Sequence, residues 1–133
     1  MSTPNLIEAT ARIQLCHRRR RNHLNLAEMG LTTADLDAIP EFARLTQLEF
    51  LDLTGNELTA LPHGLSAFTR LRWLGLNFNR LAAIDGIEYL ESLERLYLRS
   101  NELTAAPALL AGLKRLVELD LHGNRILALP LEF

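Results

Sequence analysis

Leu71-Arg-Trp-Leu74-Gly-Leu76-Asn-Phe-Asn79-Arg-Leu81 is a pattern of apolar residues ending in an asparagine, and it does not stand alone. Upstream lies Leu48-Glu-Phe-Leu51-Asp-Leu53-Thr-Gly-Asn56-Glu-Leu58. Downstream lie Leu93-Glu-Arg-Leu96-Tyr-Leu98-Arg-Ser-Asn101-Glu-Leu103 and Leu116-Val-Glu-Leu119-Asp-Leu121-His-Gly-Asn124-Arg-Ile126. The asparagines are 23, 22 and 23 residues apart. Self-similarity at this period marks a stacked array, in which each unit buries its apolar face against the next. A weaker fifth unit, Leu24-Asn-Leu26-Ala-Glu-Met29-Gly-Leu31, comes first and has Met29 where the others have asparagine. Between it and the next unit lies a longer excursion, Thr32 to Ala38, after which Ile39, Phe42 and Leu45 match Ile84, Ile87 and Leu90.

Within each unit the x-Leu-x-Leu-x core alternates apolar and variable residues, which predicts a short strand with one buried face. Successive parallel strands need a return path. Leu61-Pro62, Ala106-Pro107 and Leu129-Pro130 fall on it, and proline disfavours a continuous helix there. The return side is therefore expected to be extended or 3-10. One apolar column, Leu45, Phe68, Leu90 and Leu113, should run along it. Asn56, Asn79, Asn101 and Asn124 read as structural: after the strand the chain turns sharply, and an amide can both donate to and accept from backbone groups stranded there.

These motifs resemble the leucine-rich repeat family over about residues 24–130. The 22-residue unit Ile84-Asp-Gly-Ile87-Glu-Tyr-Leu90-Glu-Ser-Leu93 resembles the short intracellular (SDS22-like) class, and the 23-residue Leu-Pro units resemble those of bacterial repeat proteins. The resemblance implies an α/β solenoid, a right-handed superhelix with a short parallel sheet on the concave face and an extended or 3-10 convex side. It also implies protein binding on the concave face. Its rival implication is a recognition part of a larger protein, such as a bacterial effector, a ubiquitin-ligase effector or a repeat–GTPase protein.

The two ends differ from the middle. Residues 1–22 are expected to form a capping helix ahead of a solenoid over 23–133, the whole being one structural domain. The helix itself reads as 5–21, with Asn5 as N-cap and Glu8 three positions on. Leu6, Ala9, Ile13 and Cys16 would form its apolar stripe. Five arginines and one glutamate give residues 1–22 a local charge of +4, while the rest of the chain is −6. Arg18 to Arg21 read as a solvated helix end whose cations suit the macrodipole; nuclear import, nucleic-acid binding and steering of an acidic partner are the functional alternatives. At the other end, Leu127 to Phe133 carries no polar cap. Either Leu131 and Phe133 fold back, or a second copy meets that end in a weak homo-oligomer, or the natural chain runs on.

Composition narrows the function classes. The chain has 133 residues, 31 of them leucine, and a net charge of −2. That balance argues against a generic nucleic-acid or membrane-surface binder. A single cysteine allows no internal disulfide. No apolar run reaches the ~18 residues that cross a membrane, and the N-terminus lacks a signal-peptide pattern. A cytoplasmic location is expected, with signal-independent secretion left open. The four histidines are scattered, and no phosphate loop or metal-ligand cluster is present. The reading is therefore non-enzymatic, with no cofactor, no metal and no small-molecule substrate.

Attention then falls on the variable strand residues. Three neighbouring columns are expected on the concave face: His23, Phe50, Trp73, Arg95 and Glu118; Asn25, Asp52, Gly75, Tyr97 and Asp120; Ala27, Thr54, Asn77, Arg99 and His122. Phe78 lies just beyond. Phe50, Trp73, Tyr97 and Phe78 are the expected anchors of a protein or peptide partner. Asp52, Arg95, Arg99 and Asp120 would set charge preference, with Asn77 and His122 beside them. Gly75 would leave a gap for a partner side chain. Five strands at ~4.8 Å spacing span only ~20 Å, short of the ~800 Å² a standard interface takes from each partner. A helix, loop or peptide is thus the expected occupant, bound weakly or transiently.

Overall fold

Alternation of leucine with polar or aromatic residues produces five very short strands, and the 22- or 23-residue period stacks them in order. The computed structural model describes residues 4–105 and 108–126. Helix α1 spans Pro4–Arg19 and is followed by β1 (His23–Asn25), α2 (Thr33–Asp37), β2 (Phe50–Asp52), β3 (Trp73–Gly75), β4 (Arg95–Tyr97) and β5 (Glu118–Asp120). The strands form one parallel sheet in the order β1-β2-β3-β4-β5. Its register aligns His23, Phe50, Trp73, Arg95 and Glu118 in one row and Asn25, Asp52, Gly75, Tyr97 and Asp120 in another. Backbone hydrogen bonds continue past the strands, as from Phe78 N–H to the Arg99 carbonyl at 2.8 Å. Three-residue strands are therefore held by a longer ladder.

The return segments are single 3-10 turns at Phe42–Arg44, His63–Ala67, Ile87–Tyr89 and Ala108–Gly112. Leu45, Phe68, Leu90 and Leu113 follow them and are all buried. Phe42 and Phe68 meet edge to face at 5.3 Å on the same side. The excursion after the first unit becomes α2, capped by Thr32, whose side chain accepts from Asp35 N–H while Asp35 accepts from Thr32 N–H. Such a reciprocal cap lets a five-residue helix exist.

Asn56, Asn79 and Asn101 are buried, and Asn124 is partly so. Each Nδ2 donates to a carbonyl in its own turn and to one in the preceding unit; for Asn79 these are Leu76 and Leu53, at 3.1 and 3.0 Å. Each Oδ1 accepts from a preceding-unit N–H: Leu58 for Asn79, Leu81 for Asn101, Leu103 for Asn124. Asn56 serves both Met29 and Leu31 N–H, so the first unit needs no asparagine of its own.

The helix differs from the sequence expectation at both ends. It begins at Pro4, so Asn5 lies in the first turn instead of capping it; proline suits that turn because its missing N–H has no helical acceptor to lose. Glu8 pairs with Arg12 at 3.0 Å. Helical residues stop at Arg19, short of 21. Arg20 is left-handed (φ 49°), Arg20 N–H donates to His17 O, and Arg21 N–H donates to Cys16 O, a helix-terminating pair of bonds. Ala9, Ile13 and Cys16 are buried, with Leu6 packed at the margin, and α1 lies against β1 and the 3-10 turn at Phe42–Arg44. The expectations placed on Ala106-Pro107 and on Leu127 to Phe133 fall outside the described residues.

Candidate functional site

The outward row of the sheet carries its aromatic side chains in sequence order because parallel register puts equivalent residues side by side. Phe50 stacks on Trp73 with centroids 4.2 Å apart and planes 18° from parallel. Trp73 meets Tyr97 at 5.1 Å, tilted by 47°. All three are half-buried, on the side opposite the leucine core. The expected gap at Gly75 is absent. A Cβ there would sit 2.8 Å from Trp73 Cζ3 and Cη2 and from Asp52 Oδ1, so the indole occupies that space. Glycine is what lets the indole lie flat on the sheet. Its backbone does not need the left-handed region, so Gly75→Ala should fold yet lift the ring. Emission of the chain's one tryptophan should shift to the red, at a cost of about 1–3 kcal/mol for overpacking. An unchanged spectrum would show that the ring does not rest on this glycine.

Four charged groups on the face are paired among themselves. Glu118 accepts from Arg95 Nη1 at 3.0 Å and from the Tyr97 hydroxyl at 2.8 Å. Arg99 Nε donates to Asp120 Oδ2 at 3.0 Å, and Asp120 Oδ1 accepts from His122 N–H at 2.9 Å. That backbone hydrogen bond, followed by Arg99, holds the Asp120 carboxyl below its ordinary value. Partial burial and then the Glu118 contact push the Tyr97 phenol up. Arg95, Arg99 and Asp120 thus present neutral pairs, not free charges. Asp52 accepts from Thr54 N–H at 2.9 Å, and Asn77 Oδ1 accepts from Arg99 N–H at 2.7 Å. The second of these replaces the acceptor that Tyr97, unlike Asp52 and Asp120, cannot provide two residues before its own turn.

Phe78 is 56 % exposed and sits at φ 57°. Gly55 and Gly123 hold the equivalent turn position, which is left-handed in every unit. A bulky residue there costs about 1–2 kcal/mol. The alternation of Gly55, Phe78, Ser100 and Gly123 ahead of each asparagine was the available sequence signal for it.

Sequence reasoning missed the residue just before each strand. Glu49, Arg72 and Glu94 form a row in which Arg72 Nε donates to Glu94 at 2.9 Å while Glu49 lies 3.9 Å from Arg72. The Arg72 hydrogen bond lowers the Glu94 carboxyl below its ordinary value. With Asn22, Phe50, Trp73 and Arg95 they line a shallow hollow of about 420 Å³. Their spacing repeats the asparagine spacing, which was the signal. Burial raises the Cys16 thiol, consistent with a packing residue. Among the described residues no group of three His, Cys, Asp or Glu could hold a metal ion, and no helix is long and apolar enough to cross a membrane.

Comparison with known proteins bears on this geometry. A leucine rich repeat profile matches residues 22–81, and a profile of two leucine rich repeats matches 91–132. Human podocan-like protein 1 is 38 % identical over 73 residues, which are 55 % of this chain and 14 % of that protein. A leucine-rich repeat protein of Leptospira interrogans superposes with a TM-score of 0.74 at 32 % identity, over 84 % of this chain and 28 % of that one. The internalin InlF of Listeria monocytogenes superposes with a TM-score of 0.73 at 25 % identity, over 90 % of this chain and 36 % of that one. The chain therefore spans well under half the length of these relatives.

Proposed function

The chain belongs to the leucine-rich repeat family, and on that premise we propose that it is a non-catalytic interaction module taking a partner protein or peptide on the concave face of its sheet. Leucine-rich repeats generally mediate protein–protein contacts. The observation that supports the concave face is its aromatic run: Phe50, Trp73 and Tyr97 in contact on the outward side, with Phe78 held exposed in a strained turn. Nothing in the leucine core requires these rings. Rigid aromatics with few rotamers lose little entropy on binding and suit an interface centre. The neutral Arg95–Glu118 and Arg99–Asp120 pairs offer a polar rim with a fixed pattern of donors and acceptors.

The test is affinity capture with mass spectrometry, comparing the native chain with Trp73→Ala/Tyr97→Ala and with Phe78→Gly. The double variant should lose the specific partner while staying folded, having given up two ring contacts worth about 0.5–1.5 kcal/mol each, the area the indole covers and the Tyr97–Glu118 hydrogen bond. Phe78→Gly should weaken capture while raising the melting temperature, since strain is released as an anchor is removed. A partner held equally by all three proteins would refute the concave-face assignment.

A second reading makes these repeats the recognition part of a longer polypeptide. It is favoured by the 14 % to 36 % of their lengths over which the relatives match, and reading the gene on either side of the segment checks it.

A further inference from the structure

We propose that the cleft between the end of α1 and the first 3-10 turn is a second interaction surface, independent of the sheet face, that takes an acidic peptide segment of a protein partner. The cleft is lined by His17, Arg18, Arg20, Arg44, Thr46 and Gln47 and encloses about 420 Å³. Its arginines come from two elements that are far apart in sequence and tied together in space. Gln47 Nε2 donates to the Arg21 carbonyl at 3.0 Å, joining the helix end to the loop after Arg44.

The arginines of this molecule fall into two groups. Arg12, Arg72, Arg80, Arg95 and Arg99 each have a carboxylate within 4.0 Å. Among the described residues the other eight have none, although the chain as a whole holds more acids than bases; three of the eight, Arg18, Arg20 and Arg44, converge on this cleft. Convergent cations without internal counter-ions repel one another and gain from an external anion. Guanidinium forks match carboxylates in bidentate geometry. Arg20 also occupies the left-handed position that glycine fills best at a helix end.

The surroundings choose among anions. No apolar side chain lines the cleft, so nothing would insert into a bilayer. No Phe, Tyr or Trp lines it either, so beyond the His17 imidazole there is no run of rings on which successive bases would stack. An extended polyanion would run from the cleft onto a chain whose residues outside it carry a net −5. A short acidic segment meets the cations and avoids that repulsion.

Fluorescence anisotropy with a labelled hexaglutamate peptide at low salt tests the proposal. Saturable binding should appear, weaken as salt rises, and fall about tenfold or more in Arg18→Ala/Arg44→Ala as two charge-assisted contacts are lost. Arg70→Ala/Arg115→Ala removes the same charge elsewhere and should leave binding within about twofold, as should Trp73→Ala/Tyr97→Ala, which separates this surface from the sheet face. All substitutions are of exposed or half-buried side chains, and melting curves confirm that each variant is folded. Absent binding, an equal loss in the control pair, or tighter binding of a random single-stranded DNA or of phosphatidylserine vesicles would each overturn it.

Discussion

Asn79→Ala should destabilise the protein by about 2–6 kcal/mol, read as a lowered urea midpoint, while leaving the sheet face chemically intact. The magnitude follows from what the amide serves. Three buried backbone groups, the Leu53 and Leu76 carbonyls and the Leu58 N–H, bond to it at 3.0–3.1 Å. The two carbonyls keep a second donor, Asn56 for Leu53 and Asn101 for Leu76, so each loses one bond worth about 0.5–1.5 kcal/mol, whereas the Leu58 N–H is left unpaired. Each buried group left unpaired costs about 1–3 kcal/mol. Two of the three belong to the preceding unit, so the substitution loosens the contact between neighbours, on which the stability of a stacked array rests. Asn124→Ala removes the same bonds at a position where solvent reaches the turn. Water can replace the lost partners there, and the expected cost drops to about 1–2 kcal/mol. If Asn79→Ala does not fold, Asn124→Ala still measures the effect at the wetter site. Equal, small losses at both positions would mean that the asparagines only decorate the turns.

Ile13→Asp should cost about 3–5 kcal/mol at neutral pH, and acid should partly restore it. Ile13 is fully buried where α1 covers the first strand. A carboxylate there faces leucines, and desolvation raises its folded-state pKa above the unfolded value near ~3.9. For an acid shifted in that direction, the penalty is full above the folded pKa and shrinks as pH falls through it. Stability of the variant relative to the native chain should therefore rise on acidification. Ile7→Asp is the control, because Ile7 is 68 % exposed on the opposite side of the same helix; its effect should be near zero at every pH. A large loss from Ile7→Asp, or none from Ile13→Asp, would mean that α1 does not seal the end of the core.

Both predictions concern parts of the molecule that were readable before any coordinates. The period of 22 or 23 residues places Leu51, Leu74, Leu96 and Leu119 in register, and the sheet pairs those same residues. The asparagine bonds follow the period too, joining residues about one repeat apart. The helix was legible in its apolar stripe but not at its ends. Pro4 and the left-handed Arg20 set those, and helix boundaries depend on local backbone bonds that composition does not reveal.

The site was legible only as columns. The rows Phe50–Trp73 and Gly75–Tyr97 were predicted, but the gap at Gly75 was not a gap. A large ring next to a residue without a side chain leans over it, and the direction of lean is a rotamer choice among neighbours. Likewise Arg95 and Arg99 looked like charges offered to a partner, yet they pair with Glu118 and Asp120 on the adjacent strand. Glu49, Arg72 and Glu94 lay one residue outside the alternating core and escaped notice, although they line the hollow beside Trp73.

By itself the amino-acid sequence determined the repeat, the strand order, the register, the leucine core and the asparagine bonding. In a stacked array every such contact joins a residue to its equivalent one period away, so spacing along the chain is already a map of neighbours. Only the tertiary structure decided where the Trp73 indole rests, which arginines are neutralised, and that Arg18, Arg20 and Arg44 converge on one cleft. Those outcomes depend on side-chain directions and on the docking of α1 against the first unit, and neither is periodic.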